Sequence, residues 1–197
     1  SELPTEPLFF EGNYHIKILR IFLVFLIILP ALSTQPQARE AIRVVEGVVL
    51  KVSDGDTITV ETREGTKIKV RLYGIDAPET DKKDHRTGRH LRPGQPFGDE
   101  AHHYLSALIE GKTVRLEILE IDRYRRMVSV VWLDGRNINL EMILAGLAEA
   151  YTEYLTQKPL RQKFLHSQEE ARERQLGIWS QGGSYERPGD FRKRQKM

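Results

Sequence analysis

RVVEGVVLKVSDGDTITVETREGTKIKVRLY, residues 43–73, is the stretch from which the rest of the chain is read. Val44, Val45, Val48, Val49, Leu50 and Val52 form a β-branched run, a composition that fits a half-buried pleated surface. Ser53-Asp54-Gly55-Asp56 follows, and Asp and Gly tolerate the backbone angles of a tight reversal. Thr57 to Glu61 alternates with period two, Glu64-Gly65 turns the chain, and Lys67 to Tyr73 alternates again. Alternation bounded by turn residues predicts strands, so the stretch reads as a three-stranded meander.

Downstream, residues 78–98 are rich in Pro, Gly and charge and read as a long loop. Glu100 to Ile109 places Ala101, Leu105, Leu108 and Ile109 on one helical face. Thr113 to Ile121 and Met127 to Leu133 read as two more strands, and Asp134-Gly135 is a hairpin-type turn. Asn137 is placed to cap a helix over 138–145 that stops at Gly146. Residues 161–175 read as a charged helix ended by Gly177. Five strands, with a helix between the third and fourth, predict an α+β fold: a five-stranded OB-type β-barrel with about three helices. The expected organisation is an N-terminal segment over 1–41, a barrel domain over 42–181 and a basic flexible tail over 182–197. That tail carries Arg187, Arg192, Lys193, Arg194 and Lys196 against Glu186 and Asp190.

Upstream, Lys17 and Arg20 precede the apolar run Ile21 to Leu32, and small and polar residues follow through Ser33, Thr34 and Ala38. A positive flank, a short apolar core and a small-residue exit describe a secretory signal peptide. The run falls short of the roughly 20 residues that cross a bilayer comfortably. Residues 1–15 are acidic and carry two prolines, which that pattern does not include. Two readings stay open. In one, the true start lies near Lys17 and the segment is cleaved, giving a secreted or periplasmic protein. In the other, 21–32 is an uncleaved membrane anchor and the domain faces outside.

The 197 residues are 40% hydrophobic and 29% charged, which suits one globular domain with extensions. A net charge of +2 permits a polyanionic partner without establishing one. The absence of cysteine excludes disulfides, thiolate metal sites and cysteine nucleophiles. Any metal is therefore held by oxygen or imidazole, and His85, His90, His102 and His103 lack a metal-binding spacing.

Three short stretches carry the chemistry: Asp54-Gly55-Asp56-Thr57, Arg71-Leu72-Tyr73-Gly74-Ile75-Asp76-Ala77-Pro78-Glu79-Thr80, and Asp122-Arg123-Tyr124-Arg125-Arg126. Each alone is ordinary turn, cap or solvated-loop sequence. Together, on successive element ends, they fit phosphodiester hydrolysis, whose transition state gathers negative charge and calls for cations and a positioned water. Asp56 and Asp76 offer hard oxygens for Ca²⁺ or Mg²⁺. Glu79 is placed to accept a proton from the attacking water. Arg71 and Arg126 supply forks that bind phosphate oxygens in pairs.

These stretches resemble the thermonuclease (staphylococcal-nuclease-like) family over about Val44 to Ser180. The likeness rests on Asp-Gly-Asp-Thr, Arg-x-x-x-x-Asp-x-Pro-Glu-Thr, Asp-x-Tyr-x-Arg, Gly-Ile-Trp-Ser and the segment Gly94 to Ala101. The resemblance implies a Ca²⁺-dependent endonuclease, acting as a monomer on DNA and RNA and leaving 3′-phosphates, with Mg²⁺ the alternative ion. It implies Asp56, Asp76 and the Ala77 carbonyl as metal ligands, Glu79 as base, and Arg71 and Arg126 on the phosphate. Arg123, Tyr124, Tyr151 and Tyr154 are the implied substrate contacts. Arg123 stands where the family carries lysine, Ala77 where it carries threonine, and Arg125 where it carries glycine in the turn before Arg126. The competing reading is a non-catalytic OB-fold module that holds nucleic acid without cutting it. The loop 81–93, with Lys82, Lys83, Arg86, Arg89 and Arg92, reads either as a backbone-tracking patch or as a solvated loop. Trp132 and Trp179 read as packing residues.

Overall fold

A computed structural model describes residues 41–83 and 86–196. The apolar run 21–32, His85 and the side chains of Lys83 and His90 lie outside the described residues. Strands β1 (Arg43–Asp54), β2 (Thr57–Thr62) and β3 (Lys67–Leu72) form the expected meander. Short strand β4 (Ile75–Asp76) follows, then the ribbon β5 (Lys82–Lys83) and β6 (His90–Arg92), and helix α1 (Gly98–Ile109). Next come β7 (Thr113–Ile121), β8 (Met127–Leu133), β9 (Arg136–Asn137), α2 (Ile138–Leu144) and β10 (Glu149–Ala150). Helix α3 (Lys158–Glu173), a 3₁₀ segment (Gly177–Ser184) and α4 (Pro188–Arg194) complete the chain.

The five long strands close on themselves. β1 pairs antiparallel with both β2 and β7, β2 with β3, and β7 with β8. A parallel pairing of β3 with β8, from Val70 opposite Met127 to Leu72 opposite Ser129, completes the ring. Closure pairs β3 with β8, which would otherwise be the edges of an open sheet, and the result is the expected OB-type barrel. Its interior holds Val49, Val60, Val70, Leu116 and Val130. Leu105 and Ile109 of α1 and Met142 and Ile143 of α2 continue the same buried cluster. Among the described residues no helix is long and apolar enough to cross a membrane.

The helix start signals act as the sequence suggests. Asn137 caps α2 by accepting from the Leu140 amide at 3.0 Å, and Gly146 takes the left-handed conformation (φ 68°) just past its end. Helix α3 begins at Lys158, earlier than 161, because Pro159 fits the first turn. The expected long loop contains the β5–β6 ribbon. The reading of 182–197 as a flexible tail is corrected at α4. Pro188 opens that helix, Asp190 sits in its first turn, and Arg192, Lys193 and Arg194 lie in its last. That arrangement suits both helix initiation and the helix dipole, and Pro188 and Phe191 are buried.

Buried Asn139 locks the barrel seam. Its Oδ1 accepts from the Val131 amide at 2.9 Å. Its Nδ2 donates to the carbonyls of Tyr73 at 2.9 Å and Ser129 at 3.1 Å. One side chain thus ties the end of β3 to β8 and α2. Because buried backbone groups left unpaired are costly, Asn139→Ala is expected to lower the unfolding free energy by about 3 kcal/mol, measured by urea denaturation.

Candidate active site

The barrel's register assembles the site. Thr57 pairs with Arg71 across β2 and β3, and the Leu72 amide donates to the Asp56 carbonyl at 2.8 Å. Asp56, at the β1–β2 turn, therefore lies beside Arg71. Arg71 Nη1 forms an ion pair with Asp56 Oδ1. Its Nη2 donates to Asp76 Oδ1 at 2.7 Å and to the Ile75 carbonyl at 3.2 Å. Asp56 also accepts from the Thr57 hydroxyl at 3.0 Å and the Ala77 amide at 3.0 Å. Asp56 is 3% exposed and Asp76 0%, so these partners take the place of water around both carboxylates.

Burial lowers the Arg71 guanidinium from its ordinary value, with Asp76 opposing and the Arg126 charge adding to the lowering. Strand register puts Arg126 near Arg71: Val70 pairs with Met127, and Arg71 with Val128, across β3 and β8. Arg126 is presented by the turn between β7 and β8, which Asp122 organises. Asp122 Oδ1 accepts from the amides of Tyr124 and Arg126, each at 2.9 Å. Asp122 Oδ2 accepts from Arg126 Nε at 2.7 Å. Burial raises the Asp122 carboxyl, yet the Arg126 amide and guanidinium outweigh it and leave the group below its ordinary 3.8. Tyr124 lies under both Arg123 (4.9 Å) and Arg126 (5.5 Å), an arrangement that favours cations over an aromatic face. Arg125, in the position the family resemblance gives to glycine, has φ 63°, a conformation costly for a side chain with a Cβ.

Glu79 is fixed through its backbone. Its amide donates to Gln95 Oε1 at 3.2 Å, and its carbonyl accepts from the Gln95 amide at 2.8 Å. Gly98 sits so close that a Cβ there would lie 2.1 Å from the Glu79 carbonyl oxygen, which explains the glycine opening α1. Tyr151 and Tyr154 pack together with ring centroids 4.7 Å apart. Burial raises the Tyr151 hydroxyl, and the nearby Asp76 and Glu153 carboxylates act in the same direction. Trp132 packs against the core, and Trp179 packs on Tyr185 at 5.0 Å, as packing residues should.

The sequence reading missed Arg192. From α4 its Nη2 donates to Asp76 Oδ2 at 2.8 Å, and its Nη1 to Asp76 Oδ1 and Glu79 Oε1, both at 3.0 Å. Burial pulls the Arg192 guanidinium down, but Asp76 and Glu79 override it and hold it above its ordinary value. The chain before α4 is anchored beside them. Glu149, which pairs with Asp76 across β10 and β4, accepts from Arg187 Nε at 2.9 Å and from the Tyr185 hydroxyl at 3.1 Å. The signal available in the sequence was the helix-start pattern Pro188 to Asp190 followed by cations.

The donor set fits a hard divalent cation. Asp56 and Asp76 are buried oxygen donors brought together by one guanidinium, and Arg192 shows that a second positive group is accommodated on Asp76 and Glu79. Among the described residues no three His, Asp or Glu side chains form a preformed cage.

A family model described as "Staphylococcal nuclease homologue" matches residues 69–181. A Haemophilus influenzae protein named "Uncharacterized endonuclease" is 37% identical over 172 residues, covering 87% of this chain and 84% of its own. A protein of the same name from Escherichia coli O157:H7 is 37% identical over 138 residues, 69% of this chain and 78% of its own. A "Micrococcal nuclease" of Shigella flexneri is 35% identical over 159 residues, 76% of this chain and 82% of its own. Arg71, Asp76, Ala77, Glu79 and Arg126 fall within the matched 69–181, whereas Arg192 lies beyond it.

Two outcomes are expected at the Asp122 turn. Arg125→Gly should raise the unfolding free energy by about 1 kcal/mol, because glycine adopts φ 63° without strain. For Asp122, a lowered native value means that its stabilisation is present above 3.8 and lost as the pH falls through the lowered value. Wild type and Asp122→Asn should accordingly differ in stability at neutral pH and converge in acid, as followed by denaturant unfolding across pH.

Proposed function

We propose that this chain, which belongs to the staphylococcal nuclease family and hydrolyses phosphodiester bonds of nucleic acid, does so as a Ca²⁺-dependent endonuclease. It cuts both DNA and RNA, leaves 3′-phosphates and acts outside the cytoplasm as a monomer. The observation that carries the reading is the junction of Asp56, Asp76 and Glu79 with Arg71 and Arg126 at one end of a closed barrel. Asp56, Asp76 and the Ala77 carbonyl hold the ion, which when bound supplies positive charge at a phosphate oxygen and at a coordinated water. Mg²⁺ is the alternative ion for the same oxygen set.

The chain's own groups do the rest. Arg71 and Arg126 grip the phosphate's oxygens and stabilise the charge that gathers there. Glu79, fixed by Gln95, takes a proton from the attacking water. Asp122 holds Arg126 by its Nε, so the guanidinium is preorganised. Arg123 contacts a further phosphate, and Tyr124, Tyr151 and Tyr154 line the nucleotide's path. Residues 21–32 direct export, by cleavage or as an anchor that leaves the domain facing outside.

Incubation with single-stranded and duplex DNA and with RNA, in Ca²⁺, in Mg²⁺ and in chelator, tests the reading. Cutting should appear with Ca²⁺ and vanish with chelator; undiminished cutting in chelator would remove the metal site. Asp56→Ala and Asp76→Ala should each abolish cutting. Arg126→Lys keeps charge but loses the fork, and should cost about 10²-fold in kcat. An unchanged rate would show that paired hydrogen bonds are not required. Amino-terminal analysis of the exported protein distinguishes a cleaved signal from an anchor.

A further inference from the structure

We propose that Arg192 is a built-in cation that competes with divalent metal for Asp76, so that α4 docks over the site in the metal-free protein and lifts from it when metal binds. The inference rests on the reading of Asp56 and Asp76 as the metal site. Arg192 takes both oxygens of Asp76, at 2.8 and 3.0 Å, and one of Glu79 at 3.0 Å. Asp76 Oδ1 already accepts from Arg71 at 2.7 Å. A hard cation needs carboxylate oxygens at about 2.3–2.6 Å. It would therefore sit against the Arg192 guanidinium, and two positive groups on one carboxylate repel each other.

The helix also obstructs the site sterically. A Cβ on Gly189 would lie 3.9 Å from Asp76 Oδ2, so the start of α4 lies close beside a carboxylate that has no exposed surface. A nucleic-acid phosphate cannot reach Asp76 while α4 is docked. The side chain of Arg192 is 31% exposed, which places it at the rim of the site. Seven residues make a helix that is marginal by itself, so α4 depends on Pro188, Phe191 and the Arg192 ion pairs for its position. Tyr185 and Arg187 stay tied to Glu149, which tethers the segment next to the site when Pro188–Arg194 lift.

Coupling of this kind is reciprocal: whatever factor the docked helix takes from metal affinity, metal takes from docking. Metal arrival would then open the site to substrate, and the metal-free protein would stay closed and neutralised.

The test measures Ca²⁺ binding by calorimetry for wild type, Arg192→Gln, a truncation after Arg187 and Asp76→Asn. It also follows amide exchange of residues 188–194 in the wild-type protein with and without Ca²⁺. The expected result is about tenfold tighter Ca²⁺ binding by Arg192→Gln and by the truncation, with faster exchange of 188–194 on adding Ca²⁺. The exchange arm needs no variant, so it decides even if a variant folds poorly. Equal affinities for wild type, Arg192→Gln and the truncation, with unchanged exchange and loss of binding in Asp76→Asn, would overturn the latch and leave the metal site standing. Ca²⁺ binding by Asp76→Asn as tight as wild type would instead overturn the metal site, and the latch with it.

Discussion

The Arg71 guanidinium, shared between Asp56 and Asp76, is the interaction on which the site depends. It joins the β1–β2 turn to the short strand β4 beyond β3. Two carboxylates held this close repel each other, and a guanidinium buried this far needs anionic partners. Both carboxylates therefore lean on Arg71. Removing Arg71 would strip buried Asp56 of the guanidinium that neutralises it, at about 3–5 kcal/mol. The arrangement is set by strand register: pairing of Thr57 with Arg71 puts Asp56 beside the guanidinium.

The barrel turns that local triad into a site. Parallel pairing of β3 with β8 closes the ring, and Asn139 fastens the seam by binding the backbone of both strands. Since the turn carrying Arg126 leads directly into β8, closure brings that turn to the end of β3 where Arg71 lies. A second layer then fixes what closure has delivered: Asp122 for Arg126, Gln95 for the Glu79 backbone. Catalytic groups held through such supporting contacts lose little order when substrate arrives.

The carboxylate cluster also draws in guanidinium groups from distant parts of the chain. Buried negative charge must be matched by something. Arg71 matches part of it from within the barrel, and Arg192 matches more from α4. Glu149 repeats the theme one residue pair away, where burial raises its carboxyl and Arg187 and Tyr185 oppose that rise. The C-terminal segment is thus organised by the carboxylates of Asp76, Glu79 and Glu149.

The sequence by itself determined the barrel and the nuclease family. Period-two alternation over 43–73, 113–121 and 127–133 reports which face of a strand is buried, and turn residues report where it reverses, because both are local consequences of backbone geometry. The Arg71–Asp76 neighbourhood was legible for the same reason, five residues apart at one strand end, and Arg125 could be flagged because a turn's φ is a local demand. Only the tertiary structure decided the long-range partners. Asn139 reads as one more polar residue on a helix until the carbonyl of Tyr73, 66 positions away, is beside it. Arg192 reads as part of a solvated basic run until folding sets it 116 positions from its own place in the chain, on Asp76. A charge leaves no periodicity in the sequence that says which opposite charge it will meet; burial of the partner decides that, and burial exists only once the chain has folded.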